Sequence, residues 1–310
     1  MRKFEIVNLC LILAVSALLT GCAGNGKETA KLDVKQVLLL ENDGDKIFDT
    51  DKFYEHEDYR MYERESIETE REIKVGDESC SVEYGYSSSD PFENYDIDVY
   101  ENTDEGITIQ LKQDTDLIVG YRNTGSGDGL KDMSFSSEEE LLKSVEAYVG
   151  EKIDTTGFTP IVNTQVISNE EGEITSRSEE GFYLPRSGEE AYYTISYTYM
   201  VSGIKTMEIF ELNIADNSVE SYFYSMPGTF SKSDNNFEIS KEAAIKSVED
   251  FIADNISGDC ENVSFDVEDA FLSVDEKGEY ILISIVNMEY DYCGAADESI
   301  EMLIVELERE

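Results

Sequence analysis

Two stretches of this chain repeat one pattern of apolar and polar positions. Phe135 to Val149 reads FSSEEELLKSVEAYV and Phe237 to Ile252 reads FEISKEAAIKSVEDFI, and Lys143-Ser144-Val145-Glu146 falls on Lys246-Ser247-Val248-Glu249 at an offset of 103 residues. At the same offset Ser137 falls on Ser240, Leu142 on Ile245, Tyr148 on Phe251 and Val149 on Ile252. Apolar residues at i, i+3, i+6 and i+7, with charge on the opposite face, predict an amphipathic helix in each stretch. Ser137 and Glu140 are spaced for a capping box, in which each side chain accepts a hydrogen bond from a backbone N–H of the first turn.

Period-two patterns surround these helices. Tyr193, Ile195, Tyr197, Tyr199 and Val201 alternate with Thr194, Ser196, Thr198 and Met200, which predicts a half-buried strand whose tyrosines serve sheet packing. Ser202-Gly203 turns it into Met207–Ile214, and Asp216-Asn217-Ser218 turns that into Val219–Tyr224. Phe158–Ile167 reads as a strand, and the charged stretch Ser168 to Arg186 as a long turn or loop. Beyond the second helix, Val263–Val274, Tyr280–Met288 and Ile300–Leu307 read as strands. Ahead of the first helix, Tyr59–Val75, Ser81–Tyr86, Tyr95–Tyr100, Ile107–Leu111 and Leu117–Tyr121 do so too, while Leu32–Leu40 fits helix or strand. Leu111 to Tyr121 echoes Leu212 to Tyr222 at an offset of 101, so a degraded third copy of the unit is a further reading of the N-terminal part. The pattern predicts an α+β fold. Tandem units of one helix packed on an antiparallel sheet span 131–228 and 229–310, and a β-rich N-terminal domain over 31–130 precedes them.

The helix opening Ile239-Ser-Lys-Glu-Ala-Ala244, followed by antiparallel strands of the Tyr-x-Ile-x-Tyr type, resembles PepSY-type domains over about Phe135–Tyr224 and Phe237–Leu307. The resemblance implies small cystatin-like modules that bind peptidases or membrane-bound signalling proteins outside the cytoplasm, and it carries no catalytic residue. The usual closing Asp-x-x-x-Gly turn is replaced by Asp216-Asn217-Ser218.

The first residues read as an address. Arg2 and Lys3 precede an apolar run from Ile6 to Leu19, which is short for a bilayer span and has signal-peptide shape. Leu19-Thr20-Gly21-Cys22 resembles the lipobox of bacterial lipoproteins. The resemblance implies cleavage between Gly21 and Cys22 after residues 1–21, with a covalent diacylglycerol on the Cys22 thiol. Residues 22–30 are small and polar and read as a tether.

Charge narrows the partners. Asp and Glu number 69 against 24 Lys and Arg, a net charge of −45, which repels nucleic acid and anionic lipid headgroups alike. The acidic stretch Glu41 to Asp51 reads as a solvated turn rather than a calcium loop, because Ile47 and Phe48 occupy positions where an EF-hand needs an oxygen ligand and a glycine. Gly125-Ser-Gly127-Asp-Gly129 reads as a linker, since Leu130 stands where a dinucleotide loop needs its third glycine. His56 is the only histidine, so zinc sites of the HExxH type are excluded.

Once Cys10 and Cys22 are set aside, Cys80, Cys260 and Cys293 remain. Export permits a Cys260–Cys293 disulfide, worth about 3–4 kcal/mol in a chain-entropy account. Two reduced thiols acting as small apolar groups are the plainer account.

These readings point to a non-enzymatic protein, lipid-anchored on the extracytoplasmic face of a bacterial membrane, that binds a protein or peptide partner. It needs no metal or other cofactor. A solute- or cation-binding lipoprotein, with calcium as the cation, is the alternative, and a carboxylate-based hydrolase comes third.

Overall fold

A computed structural model describes residues 34–39, 47–48, 53–55, 60–75, 78–89, 93–124, 133–170, 173–232, 240–275 and 278–307. In chain order the strands begin with β1 (Val34–Leu39), β2 (Phe53–Glu55), β3 (Arg60–Tyr62), β4 (Glu70–Val75), β5 (Glu78–Ser89), β6 (Asp96–Asn102), β7 (Ile107–Lys112) and β8 (Ile118–Asn123). Helix α1 (Glu138–Lys152) precedes β9 (Phe158–Glu170), β10 (Glu173–Glu180), β11 (Glu189–Val201), β12 (Ile204–Ala215) and β13 (Ser218–Ser225). Helix α2 (Lys241–Asn255) precedes β14 (Cys260–Val274), β15 (Tyr280–Tyr292) and β16 (Ala295–Leu307).

Among the described residues antiparallel sheet dominates, at 59% strand against 14% helix. This overturns the expected α+β fold of tandem helix-on-sheet units of PepSY/cystatin-like form behind a separate β-rich domain. The physical reason lies in non-local pairing. β8 of the expected N-terminal domain runs antiparallel to β13 of the expected middle unit, with Tyr121 opposite Tyr222, so their strands share one sheet. The charged stretch expected as a loop also pairs, because β10 forms an antiparallel hairpin with β9 from Glu173↔Glu170 to Glu180↔Asn163.

The chain forms two compact units, one from residues 58–199 and 207–233, the other from the described residues among 1–57, 200–206 and 234–310. In the larger unit β12, β13, β8, β7, β6 and β5 are successive neighbours, β3 and β4 both pair with β5, and β11 joins β12 to β9. Its core is aromatic and centres on Tyr222. That ring stacks on Tyr121 at 5.8 Å and on Phe210 at 5.6 Å, and meets the edge of Tyr148 of α1 at 6.3 Å. Tyr193 and Tyr197 of β11 are buried in the same core.

In the smaller unit β14, β15 and β16 form an antiparallel meander, β1 lies antiparallel to β16 and parallel to β2, and Lys205-Thr206 pair parallel with Phe271-Leu272. Ile281 to Val286 of β15 is buried at every position, as a central strand covered on both faces requires. Cys293-Gly294, with φ of 51° and 80°, joins Tyr292 to Ala295 in a two-residue turn. Positive φ at both positions is the twist that a tight hairpin demands.

The two helices keep the 103-residue offset at both ends. Ser137 Oγ accepts from Glu140 N at 3.3 Å, and Ser240 Oγ accepts from Ala243 N at 3.1 Å. The reciprocal half of the expected capping box is displaced by one residue. Glu140 Oε2 accepts from the N–H and hydroxyl of Ser136, both at 2.7 Å, and these bonds hold its carboxyl below the usual range.

Candidate functional site

Cys22 and Gly21 of the lipobox, the tether, the Gly125–Gly129 loop and His56 lie outside the described residues, as does most of the acidic stretch Glu41 to Asp51. Ile47 and Phe48 of that stretch are buried. No cluster of three or more acidic, histidine or cysteine side chains suited to a metal ion occurs among the described residues. Nor is any helix among them long and apolar enough to cross a membrane.

The most tightly organised polar site of the larger unit is one that sequence reasoning missed. From Phe210 onward β12 alternates, with Phe210, Leu212 and Ile214 buried toward the aromatic core, and Glu208 shares their parity and is fully buried. Its Oε1 accepts from Tyr224 Oη at 2.8 Å, Gly228 N at 2.8 Å and Ser231 Oγ at 2.5 Å. Its Oε2 accepts from Phe230 N at 2.6 Å and Ser231 N at 2.8 Å. Burial, and then the Glu208 charge, push the Tyr224 phenol well up.

A second carboxylate grips the same turn, since Glu93 accepts from Ser225 Oγ at 2.5 Å and Met226 N at 3.0 Å. Met226 has a φ of 46° directly before Pro227, a conformation that surrounding contacts must sustain at a cost of about 1–3 kcal/mol. With five donors on a buried carboxylate, Glu208 is a structural clamp for residues 224–231. It is closed to solvent.

In the smaller unit Asp269 is buried at a bulge of β14, with Lys205 Nζ at 2.7 Å and Lys241 Nζ at 3.9 Å. A third buried carboxylate, Asp98 of the larger unit, accepts from Arg64 at 2.6 Å and from Ser87 Oγ at 2.6 Å. Each of these sites neutralises or satisfies its acid with groups of the same chain.

Among the open sheet edges of the described residues, the longest hairpin edge in the larger unit is the outer side of β10. All eight of its residues run in register with β9, with no bulge and no proline, and β9 is its single strand neighbour among the described residues. Thr175 to Ser178 are exposed. Arg177 is held by Glu179 at 2.8 Å and Glu189 at 3.1 Å, which raise its pKa, and its guanidinium lies 5.0 Å from the Tyr183 ring. Leu184, in the connection that follows, is 53% exposed.

The three cysteines occupy different settings. Cys80 is buried in the core of the larger unit, Cys260 is half-buried at the start of β14, and Cys293 is exposed in the β15–β16 turn, all as thiols. No protein-family model, no curated protein and no solved structure matches this chain.

Proposed function

We propose that this chain is a lipid-anchored extracytoplasmic protein that binds a protein or peptide partner, without catalysis of its own, through the outer edge of β10. The observation that carries the reading is that edge. Natural sheets blunt open edges with bulges, proline, very short strands or charged side chains. β10 has no bulge and no proline across eight residues, and charge enters its sequence only at Glu173, Arg177, Glu179 and Glu180. A regular open edge offers a row of backbone donors and acceptors to an extended segment, which adds as a further strand. The anchor rests on Leu19-Thr20-Gly21-Cys22 and the apolar run ahead of it. The net charge of −45, with Arg177 already engaged by two glutamates, favours a partner segment rich in Lys or Arg.

The test is crosslinking and pulldown from native membranes with Ser176→Pro and Arg177→Pro. Backbone N–H groups alternate between the two sides of a strand, so one of these variants loses an outward donor and leaves the β9 ladder whole. That variant is expected to keep its unfolding midpoint and lose the partner, and wild-type capture is expected to weaken as salt rises. Capture that survives both substitutions would sink the edge assignment. Cys22→Ala is expected to leave the membrane fraction with its fold intact, and persistence there would place the anchor elsewhere.

A further inference from the structure

We infer that Cys260 and Cys293 form a thiol–disulfide exchange site that locks the open end of the β14–β15 hairpin. Cys260 is the cross-strand partner of Tyr292, and Cys293 is the next residue along, at the first position of the two-residue turn into β16. Paired Cα atoms in an antiparallel ladder lie about 4.5–5.5 Å apart. One step beyond the pair the diagonal separation approaches the limit of about 7 Å that a disulfide tolerates, and the positive φ of Cys293 takes its side chain out of the strand alternation that would face it away from Cys260.

The turn chemistry adds a second observation. Positive φ at both turn positions favours Asn, Asp or Gly. The Asp216-Asn217 turn, with φ of 49° and 56°, obeys that preference, whereas Ser202-Gly203, at 51° and 85°, and Cys293-Gly294, at 51° and 80°, place another residue first. A cysteine therefore stands where the backbone alone does not call for one.

The two sulfurs are unequally placed for the reaction. Cys293 is exposed, while Cys260 is half-buried, and burial, the Asp259 charge and the neighbouring Cys293 push its thiol pKa up. Cys293 is thus the sulfur that meets an incoming low-molecular-weight or protein disulfide. Its thiolate attacks one sulfur of that disulfide, forming a mixed disulfide and expelling one thiolate, which takes up a proton. Cys260, deprotonated, then attacks the Cys293 sulfur and expels the second thiolate. The protein loses two protons and two electrons, and the incoming disulfide becomes two thiols. The new bond ties the start of β14, just beyond α2, to the β15–β16 turn. Cys80, buried in the larger unit, takes no part.

The test uses oxidised glutathione on the native full chain, followed by denaturation, maleimide tagging and tryptic mapping. The expected result is a loss of two tags, with the peptide between Lys246 and Lys277 joined to the peptide between Lys277 and Arg309 in a monomeric product. Cys293→Ser, at an exposed turn, is expected to block the linkage without moving the unfolding midpoint, and Cys260→Ser to stop at a single glutathione adduct on Cys293. An unchanged tag count, a disulfide-linked dimer, or glutathione adducts without the internal link would each overturn the assignment.

Discussion

Glu208 in the larger unit and Asp269 in the smaller unit solve one problem by different chemistry. Both carboxylates are removed from water in a chain of net charge −45, where cations are scarce. Asp269 is met by ammonium groups, Lys205 at 2.7 Å and Lys241 at 3.9 Å, so its charge is cancelled locally. Glu208 is met by neutral donors, two hydroxyls and three backbone N–H groups, which solvate the charge without cancelling it. A cation can be deleted together with its anion. Five donors on four residues of a strand end and the turn that follows it cannot be, because three of them belong to the backbone. The neutral solution is therefore the one that ties a carboxylate to a particular loop conformation.

That contrast sets the order of expected effects. Glu208→Ala strands Tyr224 Oη and the N–H groups of Gly228, Phe230 and Ser231 in a buried turn, and is expected to destabilise the larger unit by about 3–5 kcal/mol. Glu208→Gln keeps one acceptor but turns an NH₂ group toward donors, so it is expected to recover only part of the loss. Urea unfolding measures both, and a cost below about 1 kcal/mol for the alanine variant would mean that the clamp contributes little.

At the cationic site, Lys205→Met leaves Asp269 buried with Lys241 alone and is expected to cost about 3 kcal/mol. Lys205→Met combined with Asp269→Leu removes the charges together and is expected to return to within about 1–2 kcal/mol of wild type. A double variant no better than the single one would show that the pair does more than neutralise charge.

The helices were legible because their determinants are local. A Ser cap and an apolar stripe lie within one segment, and Ser137 and Ser240 cap helices of 15 residues each at the expected offset. The pairing of β8 with β13 joins residues about a hundred positions apart, and nothing in either strand names its partner. β10 escaped notice because EITSRSEE has no aromatic residue and only Ile174 and Thr175 as branched residues among its polar and charged positions, and the ladder with β9 outweighs that weak propensity. The displaced bond from Ser136 to Glu140 depends on a carboxylate choosing between adjacent donors one residue apart, which spacing cannot resolve. Glu208 was legible in principle. It interrupts the apolar run Met207-Glu-Ile-Phe at the parity of Phe210, Leu212 and Ile214, and an acid on a core-facing register is a buried acid that needs donors.

A third acid sharpens the contrast with the smallest expected effect. Glu211 lies on the opposite face of β12 from Glu208 and is half-buried. Its hydrogen bonds from Ser196 Oγ and Asn213 Nδ2 are both long, at 3.4 Å, so it has neither the cations of Asp269 nor the close donors of Glu208. Burial pushes its carboxyl above the ordinary value, and the two hydrogen bonds offset this only in part. Folding thus favours the protonated form. The contribution of Glu211 to stability is present below its unfolded pKa and is lost as pH rises through its raised folded value. Glu211→Gln removes the titration and keeps the shape, so it is expected to stabilise the protein at pH 7 and to match wild type below about pH 4. Urea midpoints of both proteins across that range measure the difference, which should grow as pH rises and level off once Glu211 is ionised in the folded state. A difference that shrinks with rising pH, or a variant less stable than wild type at pH 7, would show that the two long hydrogen bonds solvate Glu211 as effectively as five short ones solvate Glu208.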